Sequence, residues 1–169
     1  MSMSLFLIVI AYVYLASVSI VLTLIDVRSH RLPNAIVLPS YAVLAMLFTG
    51  ACLFGAPWQN LLRAAIGAAT LFGFYWLLRA IRPGGMGGGD VKLAGVLGLY
   101  LGWLGWGPVI VGGFLGFLLG AVVGIGILLT RKGGRKTAIP FGPFMLAGAL
   151  LAVLWGESLA DLYTGVVFG

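Results

Sequence analysis

Charge is what this sequence has least of. Four acidic and ten basic residues make only 8% of 169 charged, against 62% hydrophobic. A soluble domain of this size needs far more charge to cover its surface, so lipid must be its main solvent. Cysteine is scarcer still. Cys52 stands alone inside an apolar run, which excludes a disulfide framework and a CxxC zinc pair and points to a buried, inert thiol. The net charge of +6 raises the question of nucleic acid. However, the basic residues fall at the ends of apolar runs rather than on one face. The anionic inner leaflet of a lipid bilayer is therefore the expected partner, and no nucleic acid is. No basic n-region or small-residue cleavage site opens the chain, so Met1 to Ile25 reads as an uncleaved first membrane helix.

What is present is a series of apolar runs at about 4–26, 35–55, 59–80, 91–105, 107–130 and 139–156. A bilayer crossing takes about 20 residues, and within lipid each segment must pair its own backbone groups. The expectation is an all-α polytopic membrane protein of about six transmembrane helices, with residues 1–169 as a single integral-membrane domain. The fourth run is short and glycine-rich, and its border with the fifth at Gly105-Trp106-Gly107-Pro108 is the least defined. The 27 glycines then acquire a packing role. Gly113, Gly116, Gly120 and Gly124 recur at helical spacing, where small residues let helices approach closely.

The basic residues alternate between connections. Arg28 and Arg31 follow the first run, Arg79, Arg82 and Lys92 flank the third connection, and Arg131, Lys132, Arg135 and Lys136 fill the fifth. Arg63, inside the third run, is the exception. Under the positive-inside rule these three connections face the cytoplasm and both termini lie outside. Trp58, Trp103, Trp106 and Trp155 fall near the expected outer ends, where interfacial anchors belong. Glu157 and Asp161 sit on that outer side and receive no chemistry.

The other two acids are Asp26, ending the first run, and Asp90, opening the fourth. Both belong to the cytoplasmic boundary, on helices that could meet. An ionisable residue at membrane depth is costly and usually functional. Two carboxylates in one low-dielectric site do not both ionise easily. Such a pair suits peptide hydrolysis: the ionised member activates water and the protonated one polarises the scissile carbonyl. Position alone equally allows capping, since Asp90 sits where a helix N-cap belongs. Ahead of it, Gly84 to Gly89 holds five glycines in six positions. Such a loop allows positive φ and close approach of another backbone, as an extended substrate requires, or serves as a flexible linker. The Walker pattern is absent, and Asp90 would repel phosphate.

Gly87-Gly88-Gly89-Asp90 matches the GxGD motif of intramembrane aspartyl proteases. Asp90-Val91-Lys92-Leu93 with Gly98-Leu99-Tyr100-Leu101-Gly102-Trp103 resembles the same stretch of the bacterial type IV prepilin peptidases. Asp26 with Pro33-Asn34 and Leu38-Pro39 resembles that family's first aspartate segment, and Ile139-Pro140-Phe141-Gly142-Pro143-Phe144 its last-helix opening. The resemblance spans nearly the whole chain. It implies an aspartic endopeptidase of the bacterial inner membrane that cleaves basic leaders from type IV pilin-like precursors at the cytoplasmic face. Asp26 and Asp90 would be the catalytic pair, with Gly87, Gly89 and Lys92 as substrate-binding or loop residues. Larger members carry a cysteine-bearing insertion and N-methylate the new terminus. This chain has neither the insertion nor its cysteines and resembles a peptidase-only form.

No cofactor or metal is expected. His30, four residues after Asp26, could complete a metal site with the two acids, but these residues have no ligand spacing, and a solvated loop histidine is the plainer reading. Lys92 reads either as a cation that stabilises the ionised pair or as a snorkelling anchor. Pro140 and Pro143 suit a helix's first turn. Two rivals remain. One is another GxGD protease of preflagellin type. The other is a small proton-coupled transporter, which predicts midplane carboxylates and an inverted repeat that the sequence does not display.

Overall fold

The computed structural model describes residues 2–81, 86–129 and 140–168. They form α1 (Met3–Ser29), α2 (Asn34–Leu53), α3 (Trp58–Ile81), α4 (Gly88–Leu104), α5 (Trp106–Leu129) and α6 (Gly142–Phe168), with no strand among the described residues. The front of the glycine loop at 82–85, the basic cluster Arg131 to Lys136, and Ile139 lie outside the described residues.

Each apolar run became one helix, but three ends moved. α1 continues past Asp26 to Ser29, whose hydroxyl donates to the Ile25 carbonyl at 2.8 Å. It stops at His30, which takes the left-handed conformation (φ 51°) and donates its N–H to the Asp26 carbonyl at 2.8 Å. α4 starts earlier than its apolar run, at Gly88. α6 runs on to Phe168, past the expected end near 156.

Among the described residues, five helices are long and apolar enough to cross a membrane by length and composition. The 17-residue α4 is different. Twelve of its residues are buried, so it is the axis of the bundle and the other helices wrap it. Its glycines make this possible. A β-carbon on Gly102 would lie 2.8 Å from the Ala64 Cα, and one on Gly67 of α3 would lie 2.7 Å from the Gly98 carbonyl oxygen. α3 and α4 therefore touch backbone to backbone. The α5 glycines do similar work. Gly113 faces Leu71, while Gly116 and Gly120 meet Met145 of α6 and Phe141 just ahead of it.

The core stacks aromatic rings around α4. Phe48 lies flat on Trp103 with centroids 4.3 Å apart and edge-on to Tyr100. Trp103 is thus only 3% exposed and belongs to the core, contrary to its expected interfacial place; Trp58, Trp106 and Trp155 are exposed.

Arg63 also has a specific task. Its guanidinium donates to the carbonyls of Gly102 (2.7 Å), Trp103 (2.7 Å) and Leu104 (2.8 Å), and to the Asn60 amide oxygen (3.2 Å). These carbonyls are orphans of the α4 C-terminus, where a cation also complements the helix dipole. The basic residue that breaks the charge alternation is a cap. At the same end, Glu157 lies against Gly105 of the α4–α5 junction.

Candidate active site

The opposite end of α4 carries Asp90. Gly87 is the N-cap (φ −69°, ψ 148°), so Asp90 stands at the third helical position, not at the N-cap that its place in the sequence suggested. Its Oδ2 accepts the Gly87 N–H at 3.1 Å. This is one half of a capping box; glycine has no side chain to return the other half. Capping and exposure to a cavity are therefore compatible here, because one oxygen serves the helix end.

Asp26 comes from the last turn of α1. Its Oδ2 accepts the N–H of Gly142, the first residue of α6, at 3.1 Å. A negative group at a helix N-terminus meets unpaired N–H donors and the positive end of the dipole. Both acids are buried, Asp26 at 3% exposure and Asp90 at 9%. They line one cavity of about 310 Å³ together with His30, Arg31, Leu32, Asn34, Gly87, Gly88, Gly89 and Lys92. The cavity thus joins α1, the α1–α2 turn, the remainder of the glycine loop and α4, while α6 holds Asp26 from behind.

Among the described residues the only glycine with positive φ is Gly55, so Gly87 and Gly89 owe nothing to left-handed backbone. Close approach is what they supply. A β-carbon on Gly89 would stand 2.7 Å from the Leu32 Cβ and 3.2 Å from its carbonyl oxygen, so the close backbone is the chain's own α1–α2 turn. One on Gly87 would meet the Asp90 Oδ2 at 3.0 Å, and Gly88 is overlain by the Arg79 guanidinium.

Lys92 also lines the cavity, but its ammonium donates to the Asn34 amide oxygen at 2.9 Å and ties α4 to the start of α2. His30 lines it as well. Among the described residues no three His, Cys, Asp or Glu side chains gather as a metal site would require. Gly142 is the residue that reasoning from the sequence passed over. It lay in a segment resembling the family's, but nothing in the local pattern says that its N–H meets a carboxylate 116 residues away.

Residues 13–129 match the model of the type IV leader peptidase family. The chain belongs to that family. A prepilin leader peptidase/N-methyltransferase of Aeromonas salmonicida (strain A449) is 33% identical over 93% of this chain and 53% of its own length. Proteins of the same name from Pseudomonas putida and Bacillus subtilis (strain 168) are 38% and 31% identical. These alignments cover 82% and 90% of this chain, and 47% and 58% of the relatives. The chain spans about half the length of the curated relatives it matches. No solved structure matches it with significance. Membership and the apolar helices make this a multi-pass membrane protein, and they favour neither the preflagellin-type nor the transporter reading.

Proposed function

We propose that this chain is a membrane aspartic endopeptidase that removes the leader of a prepilin-like precursor, with Asp26 and Asp90 as its catalytic pair. One observation carries the reading: two buried carboxylates, from α1 and α4, meet on one cavity in a chain of the leader peptidase family. The Asp26 Oδ2 and the Asp90 Oδ2 are each tied down by one backbone N–H. We assign the remaining oxygens to water and a scissile carbonyl. With one proton shared by the pair, the ionised member takes a proton from water as it attacks the carbonyl carbon. The protonated member donates to the carbonyl oxygen, and the amine leaves with a proton returned by the pair. Two helix N-termini aimed at the same pair stabilise the negative charge that persists throughout.

The basic residues of the odd connections support an orientation with the cavity at the cytoplasmic face of a bacterial inner membrane. In this reading residues 1–169 form one domain that carries the peptidase chemistry without N-methylation. Its one cysteine, Cys52, is buried at the end of α2, with its thiol turned to the Pro57 carbonyl at 3.7 Å. Reconstitution of the chain with a prepilin-like precursor and labelled S-adenosylmethionine tests both statements. The expected result is a cleaved precursor with an unlabelled new terminus. Absence of cleavage overturns the peptidase reading, and a labelled terminus overturns the peptidase-only one.

A further inference from the structure

Beside the carboxylate cavity lies a second depression. It is an open groove of about 390 Å³ lined by Leu38 and Tyr41 of α2, Ala68, Ala69 and Phe72 of α3, and Lys92 of α4. We infer that this groove seats the hydrophobic helix of the substrate, entering sideways from the lipid between α2 and α3. The inference rests on the peptidase reading and adds to it where the apolar part of the substrate lies.

Three observations converge on that occupant. First, the groove and the carboxylate cavity are neighbours that share Lys92 in their linings. A chain lying in the groove would reach the carboxylate pair by passing Lys92, two residues from Asp90. Second, the two walls of the groove are held where they pack on α4. Gly95 of α4 is buried, and a β-carbon on it would overlap the Tyr41 hydroxyl and come within 3.4 Å of the Phe72 Cβ. The missing side chain lets the two walls close on α4. The Tyr41 hydroxyl then donates to the Lys92 carbonyl at 2.6 Å, fixing the wall at the junction of the two depressions. Lys92, the α4 residue of the groove, follows Asp90 by two residues, which is about 3 Å along a helix axis. An apolar helix in the groove would thus begin within a few residues of the scissile bond, on the membrane side of it.

Third, the chemistry of the walls selects a helix. Leu38 and Phe72 are 49% and 40% exposed, and Ala68 and Ala69 present a small-residue surface on α3. A peptide in contact with lipid must pair its own backbone groups, and only a helix does so in a single segment. Small residues on the facing wall let such a helix approach closely. The groove accepts one stripe of its side chains while the opposite face stays in lipid. The segment reaching the carboxylates leaves the helix and becomes extended in the polar cavity.

The test is photocrosslinking in membranes. A benzophenone-bearing side chain replaces Leu38 of the groove or, as a control, Val122, an exposed residue of α5. The precursor has a basic leader, a cleavage site and an apolar helix of about 20 residues. The expected result is a crosslink from position 38 to the apolar helix and none from position 122. In parallel, Ala69→Trp fills the groove and should raise KM about tenfold with kcat unchanged, as loss of uniform binding does. Crosslinks to lipid alone, equal crosslinks from both positions, or a Trp variant with unaltered KM overturn the groove. Cleavage by the unmodified protein is followed in the same membranes. If it cleaves but the groove results fail, only the groove is lost. If it cleaves nothing, the peptidase reading falls and this inference with it.

Discussion

Gly142→Ala adds one carbon and should lower kcat/KM about a hundredfold. The carbon would arrive 2.7 Å from the Asp26 Oδ2, which now accepts the Gly142 N–H at 3.1 Å. Ordinary contact begins at 3.4 Å, so the oxygen must retreat by about 0.7 Å. Retreat in the other direction is restricted, because the same carbon lies 3.3 Å from the Leu32 Cδ2. A misplacement approaching 1 Å costs on the order of 10²-fold when a reacting group must be aligned. The variant should stay folded. Gly142 has no positive φ, so alanine takes its backbone conformation without strain. Gly73→Ala and Gly126→Ala provide the controls, since a β-carbon at either meets nothing within 4 Å. Initial rates of precursor cleavage over a range of substrate concentrations, with thermal unfolding in the same detergent, separate the two effects. If Gly142→Ala cleaves like the controls, Asp26 does not depend on the start of α6 and the site geometry is wrong.

Three further outcomes follow from other contacts. Gly89→Val should abolish cleavage and also lower the unfolding temperature, because its side chain drives into Leu32 rather than into open cavity; a stable, inactive variant would mean that the substrate and not Leu32 fills that space. Arg63→Ala leaves three α4 carbonyls without their charged donor, at a cost of about 1.5–3 kcal/mol, and should lower the unfolding temperature with KM unchanged; an unaltered melting curve would remove the cap from the account. A cysteine at Ser29 should resist impermeant external reagents in intact cells and react after permeabilisation; external labelling would reverse the orientation.

Much of this was legible in the chain itself, because lipid imposes a simple rule on backbone pairing. Six apolar runs became six helices, and the two scarce acids flagged the cavity they line. The failures share a cause: each depends on a partner distant in sequence. Asp26 looked like the end of a helix because a charge normally marks the membrane border, yet backbone bonding carries α1 three residues further to the left-handed His30. Trp103 fits an interfacial pattern, and only the arrival of Phe48 from α2 makes it core. For Lys92 the sequence offered a cation for the carboxylates or a snorkelling anchor, and gave no sign of its bond to Asn34 of α2. Arg63 contradicted the charge rule because its partners, the last carbonyls of α4, are some 40 residues on. Glycine was informative in number and not in role, since nothing local distinguishes close packing against Leu32 from room for a substrate.

The central claim is that Asp26 and Asp90 act as one unit. Asn keeps the shape of Asp and its capacity to accept a backbone N–H, but it cannot serve as a general base. Cleavage of a prepilin-like precursor is therefore measured for Asp26→Asn, Asp90→Asn and the double variant, each shown to be expressed and folded. Residues acting as a unit are strongly non-additive, whereas two independent helix caps would show separate and roughly additive stability losses. All three variants should be equally inactive, and a chelator should leave the unmodified protein's rate unchanged. Substantial cleavage by either single variant would contradict the account, as would inhibition by a chelator that divalent ions reverse.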